Sequence, residues 1–191
     1  MTLSKSLLMG LALTASTASH AWAVDRYIID PEHTYSSFEY HHWGLSYQRG
    51  RFDSNSGTIE LDLEAKTGAI NIVIDAGSIS TGSETFNKVL RSDNFFDTGQ
   101  YPQISFKSSA MRFDGDKLVQ VDGDLTIKGI TKPASFEITH FNCRFMFIYF
   151  KQACGANGYT RISRSDFKVG RYVPFVSDEV TLSFSVEGIR E

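Results

Sequence analysis

Val119-Gln120-Val121-Asp122-Gly123-Asp124-Leu125-Thr126-Ile127 decides the fold class, because it is written in twos. Val119, Val121, Gly123, Leu125 and Ile127 are apolar or small, and the residues between them are polar. Successive side chains of a strand point to opposite faces, so this period describes a strand buried on one side, and not a helix with its period of 3.6. Gly129-Ile130-Thr131-Lys132-Pro133 follows with turn chemistry, and Ala134, Phe136 and Ile138 then resume the alternation. Strand, reversal and strand make an antiparallel hairpin.

The same pattern extends outward in both directions. Phe38, Tyr40 and His42 share a face, as do Ile59, Leu61 and Leu63, and then Ile70, Ile72 and Ile74, with Glu60, Asp62 and Asp75 on the reverse sides. Ile104 and Phe106 continue it, and Val180, Leu182, Phe184 and Val186 close it. Hydrophobic inside and polar outside is the signature of antiparallel strands with one solvated face. Ser54-Asn55-Ser56-Gly57 and Asp114-Gly115-Asp116 read as further reversals. Gly82 to Asp97 is the exception: Phe86, Val89 and Leu90 recur at helical spacing and Ser83 can cap the start, which predicts one short helix.

About eight long strands are enough to close a barrel, and eight is the size at which the interior holds one small ligand. The expectation is therefore an all-β, eight-stranded antiparallel barrel with one short helix inserted. With strands of roughly ten residues, tilted near 40°, it would stand about 25 Å tall. A two-sheet sandwich stays open at this point. An outer-membrane barrel is disfavoured, because its outer face would need an apolar band with aromatic girdles, and the outward faces here carry charge.

Lys5, the apolar stretch Ser6 to Ala15 and the small-x-small triplet Ala21-Trp22-Ala23 read as an export signal, so residues 1–23 are expected to be removed and the mature chain to begin at Val24. The apolar stretch is well short of the ~20 residues of a membrane-spanning helix. Residues 24–191 suit one domain, and the expected location is the periplasm. Without Lys5 the chain carries 18 Lys and Arg against 22 Asp and Glu, which disfavours nucleic acid or an anionic membrane surface as the main partner and suits an uncharged or apolar ligand. Cys143 and Cys154 both lie in the exported part, where an oxidising compartment would join them across a short loop. Two free thiols, or half a metal site, are the competing readings; the second lacks nearby His or Cys to complete it.

Signatures of chemistry are missing. There is no Gly-x-Ser-x-Gly elbow, His-Glu-x-x-His pair, phosphate-binding Gly loop or Cys-x-x-Cys. Of His33, His41, His42 and His140, the adjacent pair invites a metal, but neighbours on a strand face opposite ways and cannot readily share one ion. Asp93 and Asp97 could form an acid/base pair, although such carboxylates are more often caps or solvated charges. The expectation is a protein that is not an enzyme and needs no cofactor or metal.

Several motifs are specific. Ile29-Asp30-Pro31-Glu32-His33-Thr34, Phe38, His42-Trp43-Gly44 and Gly50-Arg51-Phe52 resemble the opening of the YceI-like family of periplasmic isoprenoid-binding proteins. Leu90-Arg91-Ser92-Asp93-Asn94-Phe95-Phe96-Asp97, Tyr101-Pro102, Gly123 through Pro133 and Arg164-Ser165-Asp166-Phe167 resemble its later signatures, in the same order. The resemblance implies a lipocalin-like barrel whose elongated apolar cavity takes a polyprenyl chain, an isoprenoid quinone or a fatty-acid derivative. The chain departs from the family at Val89, where histidine often precedes Leu-Arg-Ser, so a different head-group preference is expected.

The residues point the same way, since an interior of Phe, Ile, Leu and Val offers dispersion and few hydrogen bonds. At ~0.8 kcal/mol per buried methylene, a twenty-carbon tail gains roughly 16 kcal/mol gross, before ordering and association costs. The candidate ligand-binding residues are Phe38, Tyr40, His42, Trp43, Ile72, Phe86, Leu90, Arg91, Phe95, Phe106, Val121 and Phe184. Among them Tyr40, His42, Trp43 and Arg91 are the expected mouth groups that set specificity. A carrier or store of a lipid, a catalyst acting on one, and a filled barrel serving as a partner-binding stress-response module are the functions left open. Phe145-Met146-Phe147-Ile148-Tyr149-Phe150 is either a buried strand or an exposed tip for transient docking to a membrane or membrane protein, and a homodimer is also left open.

Overall fold

The computed structural model describes residues 24–191; the expected signal segment lies outside the described residues. Its strands are β1 (Asp25–Ile29), β2 (Tyr35–His42), β3 (Ser46–Phe52), β4 (Asn55–Asp62), β5 (Thr67–Asp75), β6 (Ile79–Ser80), β7 (Gln103–Asp114), β8 (Lys117–Ile127), β9 (Ile130–Met146), β10 (Lys151–Ser163) and β11 (Val176–Arg190). One helix, α1 (Glu84–Arg91), lies between β6 and β7. Each of the pairs β1/β2, β3/β4 and β5/β6 forms two halves of one stave, so the sheet has eight staves. It closes because β11 pairs with β10 on one side and with both β2 and β1 on the other, down to Ile29↔Gly188. Closure removes the open edges that make an isolated sheet prone to aggregate.

The three broken staves bend at one level, and side chains take over where the ladder stops. Asp30 caps the turn at Pro31–His33 by accepting from the Glu32 N–H, with Pro31 where no donor is needed. Asn55 is buried in the second break; its amide donates to the Thr34 and Phe52 carbonyls and its oxygen accepts from Ser36. In the third break the Asp75 carboxylate accepts from the Gly77 N–H. The sequence reading put a reversal at Ser54 to Gly57, but the chain does not reverse there. It bends and goes on, because Asn55 supplies the missing ladder partners.

Bulges change the phase of the alternation, and those in β8 and β9 bear on the expected inward residues. Between Phe113↔Leu118 and Arg112↔Gln120 one extra residue enters β8, so Leu118 takes the inward place expected for Val119. In β9 the register slips between Ile138 and His140, and Phe141 faces in beyond it. The reversal between β8 and β9 is tighter than expected: Lys128 and Gly129 have φ of 50° and 71°, as a two-residue hairpin turn demands, and Ile130 to Pro133 already belong to β9.

Strands β7 to β11 run 11 to 17 residues, longer than the ten expected, so the barrel stands about 30 Å tall. One end carries the chain termini of the sheet and the turns after β4, β7 and β9. The other carries the turns after β2 and β8, the segment 164–175, and α1. The helix starts where Ser83 accepts from the Phe86 N–H and stops at Arg91, short of the expected Asp97. Ser92 Oγ bonds back to the Val89 carbonyl, and the next turn swings Phe95 and Phe96 onto the core. No helix among the described residues is long and apolar enough to cross a membrane.

Candidate functional site

The inward faces of the staves do not meet. They enclose a cavity of about 380 Å³, within the range of small-molecule sites. Its wall is the inward set of the alternation: Ile59 and Leu61 from β4, Ile70, Ile72 and Ile74 from β5, Ile104 and Phe106 from β7, Val121 and Leu125 from β8, Phe136 and Ile138 from β9, and Leu182 and Phe184 from β11. Glycines let large rings lie along this wall. Gly158 stands opposite Phe184 and Gly50 opposite Phe38, and a Cβ at either glycine would come within 3.0 Å of the ring. Any other residue there would tilt the ring into the lumen.

The cavity is closed at the end near the chain termini. Tyr27, fully buried, lies there with Cys154 and Gly188, and desolvation holds the Tyr27 phenol above its ordinary range. At the other end the lining residues Trp43, Val89 and Tyr172 are exposed, which marks the mouth. An aromatic file leads to it along β2: Phe38, Tyr40, His42 and Trp43 follow one another with ring centres 6.3 to 6.4 Å apart, and Trp43 stacks on Phe175 at 4.8 Å.

One cation is built into the wall just inside the mouth. Arg164 donates Nε–H to Ser177 O at 2.8 Å, Nη1–H to Val169 O at 3.0 Å and Arg171 O at 3.4 Å, and Nη2–H to Val176 O at 3.2 Å. Four of its five N–H groups thus tie the segment between β10 and β11 to the start of β11. Burial pulls its pKa down, opposed by the Asp178 carboxylate and by Tyr40. Burial likewise pushes the Tyr40 phenol up, against the pull of the Arg164 charge, so the phenol stays neutral at ordinary pH.

Eleven of the twelve expected residues border this cavity: Phe38, Tyr40, His42, Trp43, Ile72, Phe86, Leu90, Phe95, Phe106, Val121 and Phe184. Arg91 does not. Its guanidinium turns toward the chain before α1, donating to Gly77 O at 2.9 Å and Ile79 O at 3.3 Å and pairing with Glu84 at 3.1 Å. Its role is to hold the helix against β6. Arg164 and Arg171 are the arginines on the cavity wall. The signal for Arg164 was its place in a second Arg-Ser-Asp tripeptide, parallel to that of Arg91.

His41 and the Asp30 cluster lie outside the cavity, and the disulfide lies at its closed end. His41 stacks on Tyr47 at 4.8 Å. Asp30, His33 and Glu187 bring three potential donor atoms within 4.8 Å of one another on the outer surface. There the Asp30 carboxylate already accepts from Glu32 N and from His33 Nδ1, the latter at 2.8 Å. Cys143 and Cys154 face each other directly across β9 and β10 and are joined by a disulfide.

A family model described as the YceI-like domain matches residues 27–188. The chain belongs to the YceI-like family. Among its curated relatives, Protein YceI of Escherichia coli O157:H7 is 34% identical over 193 residues, covering 98% of this chain and 99% of the relative. A UPF0312 protein of Pseudomonas savastanoi pv. phaseolicola is 32% identical over 189 residues, covering 97% and 96%. Burkholderia cenocepacia BcnA superposes with a TM-score of 0.70 at 27% identity, over 83% of this chain and 98% of that one. A polyisoprenoid-binding domain from Saccharophagus degradans has the same fold, with a TM-score of 0.65 at 18% identity, over 86% of this chain and 98% of that one.

Proposed function

We propose that this YceI-like protein binds one long apolar lipid in its barrel, tail toward Tyr27 and head group at the mouth, and carries it through the periplasm. The observation that supports this most is the cavity itself, open at one end, closed at the other and walled by aliphatic and aromatic side chains. A side-chain-filled barrel would have no such space. A polyisoprenoid, an isoprenoid quinone or a fatty-acid derivative fits its chemistry, and a structural neighbour described as polyisoprenoid-binding supports the first of these. The disulfide and the Lys5 to Ala23 leader pattern support export to an oxidising compartment.

Binding without catalysis is supported by the state of the titratable groups on the wall. Tyr27, Tyr40 and Arg164 are each shifted chiefly by burial. Most Arg164 protons are held by carbonyls, so it is poorly placed to exchange one with a ligand. Its fifth N–H, the Tyr40 hydroxyl, the His42 ring and the Arg171 side chain are among the polar groups available to a head group, and Val89 adds an apolar side chain to the rim.

Occluding the tail tunnel tests this reading. Ile72→Trp and Val121→Trp each place an indole in the lumen, costing ~1–3 kcal/mol by overpacking while the barrel still closes. Both folded variants should take up a fluorescent long-chain fatty acid or isoprenoid analogue far less well than the parent. If both fold and bind as well as the parent, the tail does not lie in the barrel.

A further inference from the structure

The turn after β9 leaves the barrel at the end opposite the mouth. The turn carries Phe147, Ile148, Tyr149 and Phe150 exposed to water, and Phe145 at the end of β9 is exposed beside them; Phe147, Ile148 and Phe150 are 78%, 77% and 80% accessible. Toward this end β9 pairs with β8 as far as Gln120↔Glu137, and β10 with β11 as far as Ala153↔Ile189, so the hairpin tip reaches past both neighbours. Its apolar side chains cover both faces and the turn, whereas a hairpin that docks on a protein needs only one apolar face and keeps the other wetted. An apolar medium that surrounds the tip satisfies all of them at once.

The charges fit a bilayer. Arg144 and Lys151 flank the apolar run, one on each strand, and no acidic residue occurs from Phe141 to Gly155. From the level of Ala153 to the turn the hairpin extends on the order of 10 Å, the depth of the boundary between head groups and acyl chains. Tyr149 is the type of residue that favours that boundary, with Phe and Ile below it and the cations at phosphate level. The Cys143–Cys154 disulfide ties the two strands together immediately behind the tip.

From these features we propose that the hairpin Arg144–Lys151 is a membrane-insertion tip that seats the protein on a lipid bilayer with its cavity mouth facing away. This is independent of what the cavity holds. A protein seated this way exchanges cargo on its aqueous side, and not with the bilayer it rests on.

Flotation with vesicles of phosphatidylethanolamine and phosphatidylglycerol tests it on the oxidised, signal-free protein. The parent should float with the vesicles, and Phe147→Asp/Phe150→Asp should partition at least tenfold less, with an unchanged melting temperature and unchanged uptake of the fluorescent fatty acid. An Ile148→Trp reporter should shift its emission to the blue on vesicles and be quenched by brominated acyl chains. Arg144→Gln/Lys151→Gln should weaken binding severalfold, and only when the anionic lipid is present. No flotation of the parent, or equal flotation of the aspartate variant, overturns the proposal. So does a melting temperature lowered by the aspartates, which would show the tip to be packed, or a change from dimer to monomer without loss of vesicle binding, which would assign the tip to a second copy of the chain.

Discussion

Arg164 is the residue whose removal should most change the mouth. Arg164→Met keeps the stem and removes the fork, leaving the carbonyls of Val169, Arg171, Val176 and Ser177 without their donors. Three of those bonds are 3.2 Å or shorter. Hydrogen bonds to charged groups contribute about 1.5–3 kcal/mol each, and the low end of that range applies to a half-buried site. Water entering the mouth satisfies part of what is lost, so the expected cost is ~2–4 kcal/mol. Because the bonds all lie within the segment between β10 and β11 and the first two residues of β11, the loss should be local as well as global. The urea midpoint should fall with the slope unchanged, and amide exchange should quicken most in residues 168–177. Arg164→Lys keeps the charge but has no planar fork, so it should recover less than half of the loss. A methionine variant with the parental midpoint and the parental exchange in 168–177 would refute the clamp.

Two further perturbations follow from named contacts. Reducing Cys143–Cys154, which closes a loop with a sequence separation of 11, should cost ~3 kcal/mol on the chain-entropy model, and thus lower the melting temperature by roughly 6–12 °C; an unchanged melting curve in reductant would contradict this. His33 should titrate above the ordinary histidine value, chiefly through its hydrogen bond to Asp30, and Asp30 below the ordinary carboxylate value for the same reason. The raised histidine stabilises the fold below about pH 6.5 and loses that contribution as the pH rises through its folded value. The lowered carboxylate stabilises above about pH 3.8 and loses its contribution as the pH falls. Both act together between those values, and an NMR titration in which Asp30→Asn leaves the His33 curve unmoved would sink the pairing.

The barrel was legible because burial on one face writes itself into every second residue. Phe38-x-Tyr40-x-His42 and Ile70-x-Ile72-x-Ile74 pointed inward as read, and they border the cavity. Bulges were not legible, since an inserted residue changes the phase without changing composition; Val119 and Leu118 are equally apolar, and only the pairing with Arg112 and Phe113 decides which faces in. The break at Ser54 to Gly57 looked like a turn for a related reason. Asn and Gly serve a bend and a reversal equally well, and the long-range partners of Asn55, Thr34 and Ser36, do not appear locally. The two Arg-Ser-Asp tripeptides show the same limit at the site. Both arginines bond backbone carbonyls, but whether an arginine also borders the lumen depends on the element that folds over it. For Arg91 that is the chain before α1, and for Arg164 it is the segment 169–177.

The most direct test of the central claim is to purify the natively produced protein without detergent, extract it with organic solvent and weigh the extract by mass spectrometry. The account predicts one long-chain apolar lipid in near-stoichiometric amount from the parent and much less from Val121→Trp. Equal traces of mixed membrane lipid from both proteins would contradict it.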